Sequence, residues 1–196
     1  MDAWQWIVIA VVVVAVIAIV AYIVARQRRR TQLRDTFGPE YERAVAREGD
    51  VRRGESDLLA RRERRDKLDI RSLSPSAQES YTRDWDRTQA RFVDEPVGAL
   101  RDADALIIAV MQDRGYSMDD FAQRADDISV DHPDVVQHYR AAHDISMRVG
   151  DGRNGSTGSN VSTVSTEDLR QGLVHYRALF QELLEPADGD RERATG

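Results

Sequence analysis

A run of nineteen residues at positions 7–25, IVIAVVVVAVIAIVAYIVA, carries no charge and a single polar group, the Tyr22 hydroxyl. Wound as an α-helix at about 1.5 Å per residue, it reaches roughly 28 Å, the hydrocarbon thickness of a bilayer. A cleaved secretory signal would place basic residues before a shorter apolar stretch and small residues at its end. Here the order is reversed, because Met1-Asp2-Ala3 has no basic side chain while Arg26, Arg28, Arg29, Arg30 and Arg34 all follow the run. A retained transmembrane helix is therefore expected. Basic residues beside a span stay on the cytoplasmic side, which puts the N-terminus outside and residues 26–196 inside, at the plasma membrane. Trp4 and Trp6 at one end and Tyr22 near the other suit the interface belt, and the five arginines suit the headgroup level. The run lacks glycine and so lacks a GxxxG pairing motif. Ala18, Ala21 and Ala25 share a face, so a monomeric anchor is expected, with weak self-association through that face as the alternative.

The remaining chain is divided by charge. The total of −6 resolves into −1 for residues 1–25, +5 for 26–71 and −10 for 72–196. An apolar anchor, a basic neck and an acidic body have three different surroundings. Residue types missing from the chain narrow its chemistry further. There is no cysteine, hence no disulfide, thiolate metal site or cysteine nucleophile. The one lysine, Lys67, sits in Arg61-Arg-Glu-Arg-Arg-Asp-Lys67, where a solvated ammonium is poorly suited to Schiff-base or phosphate-loop chemistry.

Proline punctuates the cytoplasmic part into helices. Pro39, Pro75, Pro96 and Pro133 stand where first turns would begin, and a first turn tolerates the missing N–H. Ser117 with Asp120, and Ser165 with Asp168, have capping-box spacing, while Gly115 and Gly150 suit helix ends. Apolar residues recur at helical spacing in Tyr81, Trp85, Thr88 and Phe92, and again in Leu169, Leu173, Tyr176, Phe180 and Leu183. Period-two alternation is essentially missing. The expected fold is all-α, with an anchor and its basic flank at 1–30, a charged helical neck at 31–71 and a helical bundle at 72–149. A Gly/Ser linker at 150–165, a final bundle helix at 166–185 and a disordered tail at 186–196 complete it. Within the neck, Tyr41, Val45, Leu58, Leu59, Leu68 and Ile70 are the few apolar positions, equally compatible with a stalk, a folded hairpin or partial disorder.

The histidines form the main candidate site. Asp134 and His138 lie four apart on one expected helix face with Asp131 just before it, a carboxylate–imidazole arrangement suited to a metal or an oriented base. Asp134 and His138 are the candidate metal ligands, with His143 and His175 as further members. His138 and His143 point about 140° apart on a helix, and no HExxH or nucleophile-elbow motif is present. The competing reading is helix capping and surface pairing by the same groups. The tetrapeptide His-Tyr-Arg-Ala occurs at 138–141 and 175–178. In both copies the tyrosine falls on the apolar stripe and the histidine on its edge, so two helices with like edges are expected to flank one core. The run from Arg61 to Lys67 is interrupted by Glu63 and Asp66 and has no aromatic companions, which favours a solvated helix with internal ion pairs over nucleic-acid binding.

Several phrases, Phe37-Gly-Pro-Glu-Tyr41, Leu68-Asp-Ile-Arg71, Arg91-Phe-Val-Asp-Glu-Pro96, Asp113-Arg-Gly-Tyr116 and Val130-Asp-His-Pro133 running to His143, resemble those of a family of membrane-anchored proteins of high-GC bacteria. The resemblance covers roughly residues 1–185 and implies the anchored helical architecture without a reaction, ligand or catalytic residue. The expected function is accordingly a protein–protein interaction, regulatory or assembly module at the inner membrane face. Its expected partners are the lipid bilayer and a protein, with no cofactor and no nucleic acid. The alternative is a membrane-tethered enzyme or ligand or metal sensor built on Asp131, Asp134 and His138.

Overall fold

Glycine and proline set the first reversals in the computed structural model, which describes residues 3–153 and 164–186. Helix α1 (Ala3–Phe37) ends at Gly38, whose φ of 45° turns the chain into α2 (Pro39–Glu48) with Pro39 in its first turn. Gly49 at φ 65° reverses it again into α3 (Val51–Arg65), where the Asp50 carboxylate accepts the Arg52 and Arg53 N–H groups at 2.9 and 3.0 Å. Then come α4 (Pro75–Arg91), α5 (Pro96–Arg114), α6 (Phe121–Asp131), α7 (Val136–Arg153) and α8 (Thr166–Leu184). No strand occurs among the described residues, and the all-α class stands.

The chain divides into two compact units at Leu59–Ala60, inside α3, rather than at the 71/72 boundary suggested by charge. In the first unit α1 is continuous from the apolar run to Phe37, and its last turns are seated, with Leu33, Phe37, Tyr41 and Ala44 all buried. Within this unit residues 31–59 form the end of α1, α2 and the first turns of α3. Val11–Phe37 is long and apolar enough to cross a membrane, and none of its most apolar stretch is buried.

The second unit is a bundle around one core. Trp85, Leu100, Ile107, Met111, Ile128, Tyr139, Tyr176 and Phe180 are buried in it, with Trp85 stacked on Phe180 at 4.8 Å between ring centroids. Helices α7 and α8 run antiparallel, since His138 meets His175 while Ile145 approaches Gly172. A Cβ at Gly172 would come within 2.9 Å of Leu100 Cδ1, so a larger residue there requires that buried side chain to shift.

The local signals divide cleanly. Ser165 and Asp168 form the expected capping box, and Gly115 closes α5 in the left-handed conformation. Asp120, not Ser117, caps α6 by accepting the Gln123 N–H at 2.9 Å, while Ser117 accepts the Asp119 N–H in the preceding turn. Pro133 lies in a turn after α6, and α7 begins at Val136. Gly150 falls inside α7, which runs on to Arg153. Most of the linker read at 150–165, and all but the first residue of the tail read at 186–196, lie outside the described residues.

Candidate functional site

The pairing of α7 with α8 brings the two His-Tyr-Arg-Ala copies face to face. Tyr139 and Tyr176 are both fully buried in the core, and the half-buried rings of His138 and His175 meet at its edge with Nδ1 to Nδ1 at 2.8 Å. At that distance one ring donates its N–H and the other accepts, which requires at least one neutral imidazole. Tyr176 donates to Asp104 at 2.7 Å and lies 3.2 Å from the Ser146 hydroxyl, while Tyr139 accepts from Arg124 Nε at 3.2 Å.

The carboxylates assigned to this site lie elsewhere. Asp131 ends α6, where it accepts the Tyr116 hydroxyl at 3.0 Å and pairs with Arg65 at 2.6 Å. Asp134 is exposed in the turn that separates α6 from α7, so Asp131, Asp134 and His138 do not share one helix face. His143 is stacked on Phe121 at 3.5 Å between centroids, and His132 bonds Glu182 at 2.9 Å. No three metal-ligating side chains gather among the described residues.

The electrostatics of the histidine pair give a sign for its pH response. Burial and the neighbouring His138 lower the pKa of His175, and burial lowers that of His143. A histidine with a lowered folded pKa binds fewer protons folded than unfolded. Its stabilisation is complete above the unfolded value of about 6.5 and is lost as pH falls from there through the lowered folded value. The melting temperature is therefore expected to fall as the pH drops below about 6.5. His175→Gln, which keeps an amide donor but cannot take up a proton, should flatten that slope. An unchanged slope in differential scanning calorimetry would rule the pair out as its source.

A second constellation was not visible in the sequence. The Arg61 side chain is only 2% exposed, lies 2.6 Å from Asp126 and donates to Ser129 Oγ at 3.3 Å. Arg140 approaches the same Asp126 oxygen at 3.7 Å. With Arg65 on Asp131, the last turns of α3 lay arginines at i and i+4 along the acidic side of α6. The expected internal pairing exists on the outer face, where Lys67 meets Glu63 at 3.0 Å, but the inner face is an interhelical charge seam. The available signal was arginine at helical spacing in one segment and Asp126, Asp127 and Asp131 in another.

The five arginines after the apolar run also divide. Arg30 donates to the Tyr41 hydroxyl at 3.0 Å, and Arg34 pairs with Glu42 at 3.0 Å while lying over the Tyr41 ring. These two secure the neck. Arg26, Arg28 and Arg29 are exposed. Trp4 and Tyr22 are exposed as well, and the Trp6 side chain lies outside the described residues. No family model, curated protein or solved structure matches the chain.

Proposed function

We propose that the chain is a single-pass plasma-membrane protein, N-terminus outside and residues 26–196 in the cytoplasm, whose helical body binds a protein partner at the inner face as a regulatory or assembly module. The continuity of α1 carries this reading. The apolar run does not end in a loose linker but continues as helix until Leu33 and Phe37 are buried in the neck, so the anchor ends in a folded mount. Two features support the rest. Arginines cluster on one flank of the run, the arrangement that retains a flank in the cytoplasm. The −10 charge of residues 72–196 is repelled by an anionic leaflet and favours a partner with a basic face.

Both halves of the proposal are testable on the full chain. A reporter fused after Gly196 is expected to be active only in its cytoplasmic form, and periplasmic activity would reverse the topology. Site-specific photocrosslinkers at the exposed positions Arg101 and Val174 of the body should yield a discrete protein adduct in native membranes, weakened at high salt. Crosslinking to lipid alone would remove the partner.

A further inference from the structure

The neck forms a cleft of about 530 Å³ beside the end of the apolar run. One wall is the α1 face that carries Tyr22, Ala25, Arg26 and Arg29, and the other is the α3 face that carries Arg52 and Leu59. The reversal at Gly49 and Asp50 returns α3 alongside α1, placing Arg52 with two arginines that precede it by more than twenty positions. All three guanidinium groups are exposed and none forms an ion pair among the described residues. The cleft also contains Ser56 and one carboxylate, Glu55. That carboxylate is already compensated, because it accepts the Tyr41 hydroxyl at 2.8 Å and lies 3.6 Å from Arg30 Nε. Three uncompensated positive charges therefore share a recess that adjoins the exposed apolar surface of α1 at Tyr22.

From this geometry we infer that the cleft binds the phosphate of an anionic phospholipid, with Arg26, Arg29 and Arg52 holding the headgroup and Tyr22 and Ala25 meeting the upper acyl chain. Guanidinium groups match phosphate oxygens in forked geometry, and basic pockets at the cytoplasmic end of a span take up anionic headgroups. A free phosphate offers the same oxygens but has no use for the adjoining apolar surface of α1. The inference rests on the reading of α1 as a membrane anchor.

Arg28 provides an internal comparison. It carries the same charge at the same depth but lies outside the cleft, beside Gln27 and Thr31. The full chain is to be placed in nanodiscs of phosphatidylcholine with a minor share of phosphatidylglycerol, and the lipids retained on it counted by native mass spectrometry. Enrichment of phosphatidylglycerol is expected, falling about fivefold in Arg52→Gln and little changed in Arg28→Gln. Arg52 is used because Arg26 and Arg29 also bear on insertion. Equal losses in the two variants, or no preference for the anionic lipid, would overturn the site in favour of diffuse attraction. Displacement of the lipid by millimolar inorganic phosphate would also overturn it, assigning the cleft to the free anion. Failure of the wild-type chain to enter the discs is seen before any lipid is counted and counts against the anchor instead.

Discussion

Replacing Arg61 with alanine is expected to lower the stability of the helical body by about 3–5 kcal/mol, the range for breaking a buried ion pair from one side. The guanidinium is 2% exposed and sits 2.6 Å from Asp126, itself only 16% exposed. Solvent therefore cannot replace the lost partner as it would on a surface, where the same pair would be worth no more than about 1 kcal/mol. Alanine also removes the side chain that occupies the space and leaves Ser129 Oγ without its donor. Arg140, at 3.7 Å from Asp126, supplies part of the missing charge and keeps the effect from the extreme of the range. Urea unfolding followed by Trp85 fluorescence measures the body directly, because Trp85 stacks on Phe180 in its core. Trp4 and Trp6 are changed to phenylalanine so that one indole of the three remains. The double variant Arg61→Met with Asp126→Asn should recover much of the loss, since neither residue then leaves a charge buried alone. A loss below about 1 kcal/mol for the alanine variant would mean that the seam behaves as a surface pair.

That seam marks the limit of what the residues disclosed in order. The capping box of Ser165 and Asp168, the first-turn prolines Pro39, Pro75 and Pro96 and the stripes of α4 and α8 are local patterns, and each was legible because its parts lie within a few turns. The meeting of His138 with His175 depends on α7 pairing with α8, and Arg61 with Asp126 on α3 reaching α6, across 37 and 65 positions of chain. No periodicity within a segment carries that information. The Pro133 turn failed for a related reason. Proline is equally at home in a first turn and in a turn outside a helix, and the choice was made by His132, whose carbonyl accepts the Val135 and Val136 N–H groups at 3.2 Å. The reading of Asp131, Asp134 and His138 as one face depended on that start and ended with it.

The distinctive phrases of the sequence are joints of the fold. Phe37-Gly-Pro-Glu-Tyr41 makes the first reversal and places Tyr41 between Arg30 and Glu55. Arg91 in the third phrase binds Glu95 at 2.5 Å and Asp102 at 2.6 Å across the α4–α5 corner. Val130-Asp-His-Pro133 supplies Asp131 to Arg65 and His132 to Glu182. Leu68-Asp-Ile-Arg71 meets Asp113-Arg-Gly-Tyr116, for Arg71 donates its backbone N–H to the Arg114 carbonyl at 2.9 Å and its Nε to the Asp113 carbonyl at 3.0 Å. Motifs with this much distinctive chemistry invite a search for a site, and here their side chains hold one helix to the next.

The last of these joints carries the other large expected effect. Gly115→Ala should destabilise the body by about 2–5 kcal/mol, combining a left-handed alanine with an overpacked contact. Gly115 has φ 92° and ψ 17°, and it ends α5 with its N–H on the Gln112 carbonyl at 3.0 Å while the Tyr116 N–H returns to the Met111 carbonyl at 3.0 Å. A Cβ there would stand 2.3 Å from the Asp69 carbonyl oxygen. Because that oxygen belongs to the backbone, relief requires moving the strap that carries Ile70 and Leu73 into the core. Gly115→Asn separates the two causes. Asparagine tolerates the left-handed region but brings the same Cβ, so it is expected to be nearly as damaging as alanine. Faster hydrogen exchange at the Arg71 amide should accompany both, as its bond to Arg114 loosens. Near wild-type stability in the asparagine variant would show that conformation alone selects glycine here and that the approach of Asp69 imposes nothing.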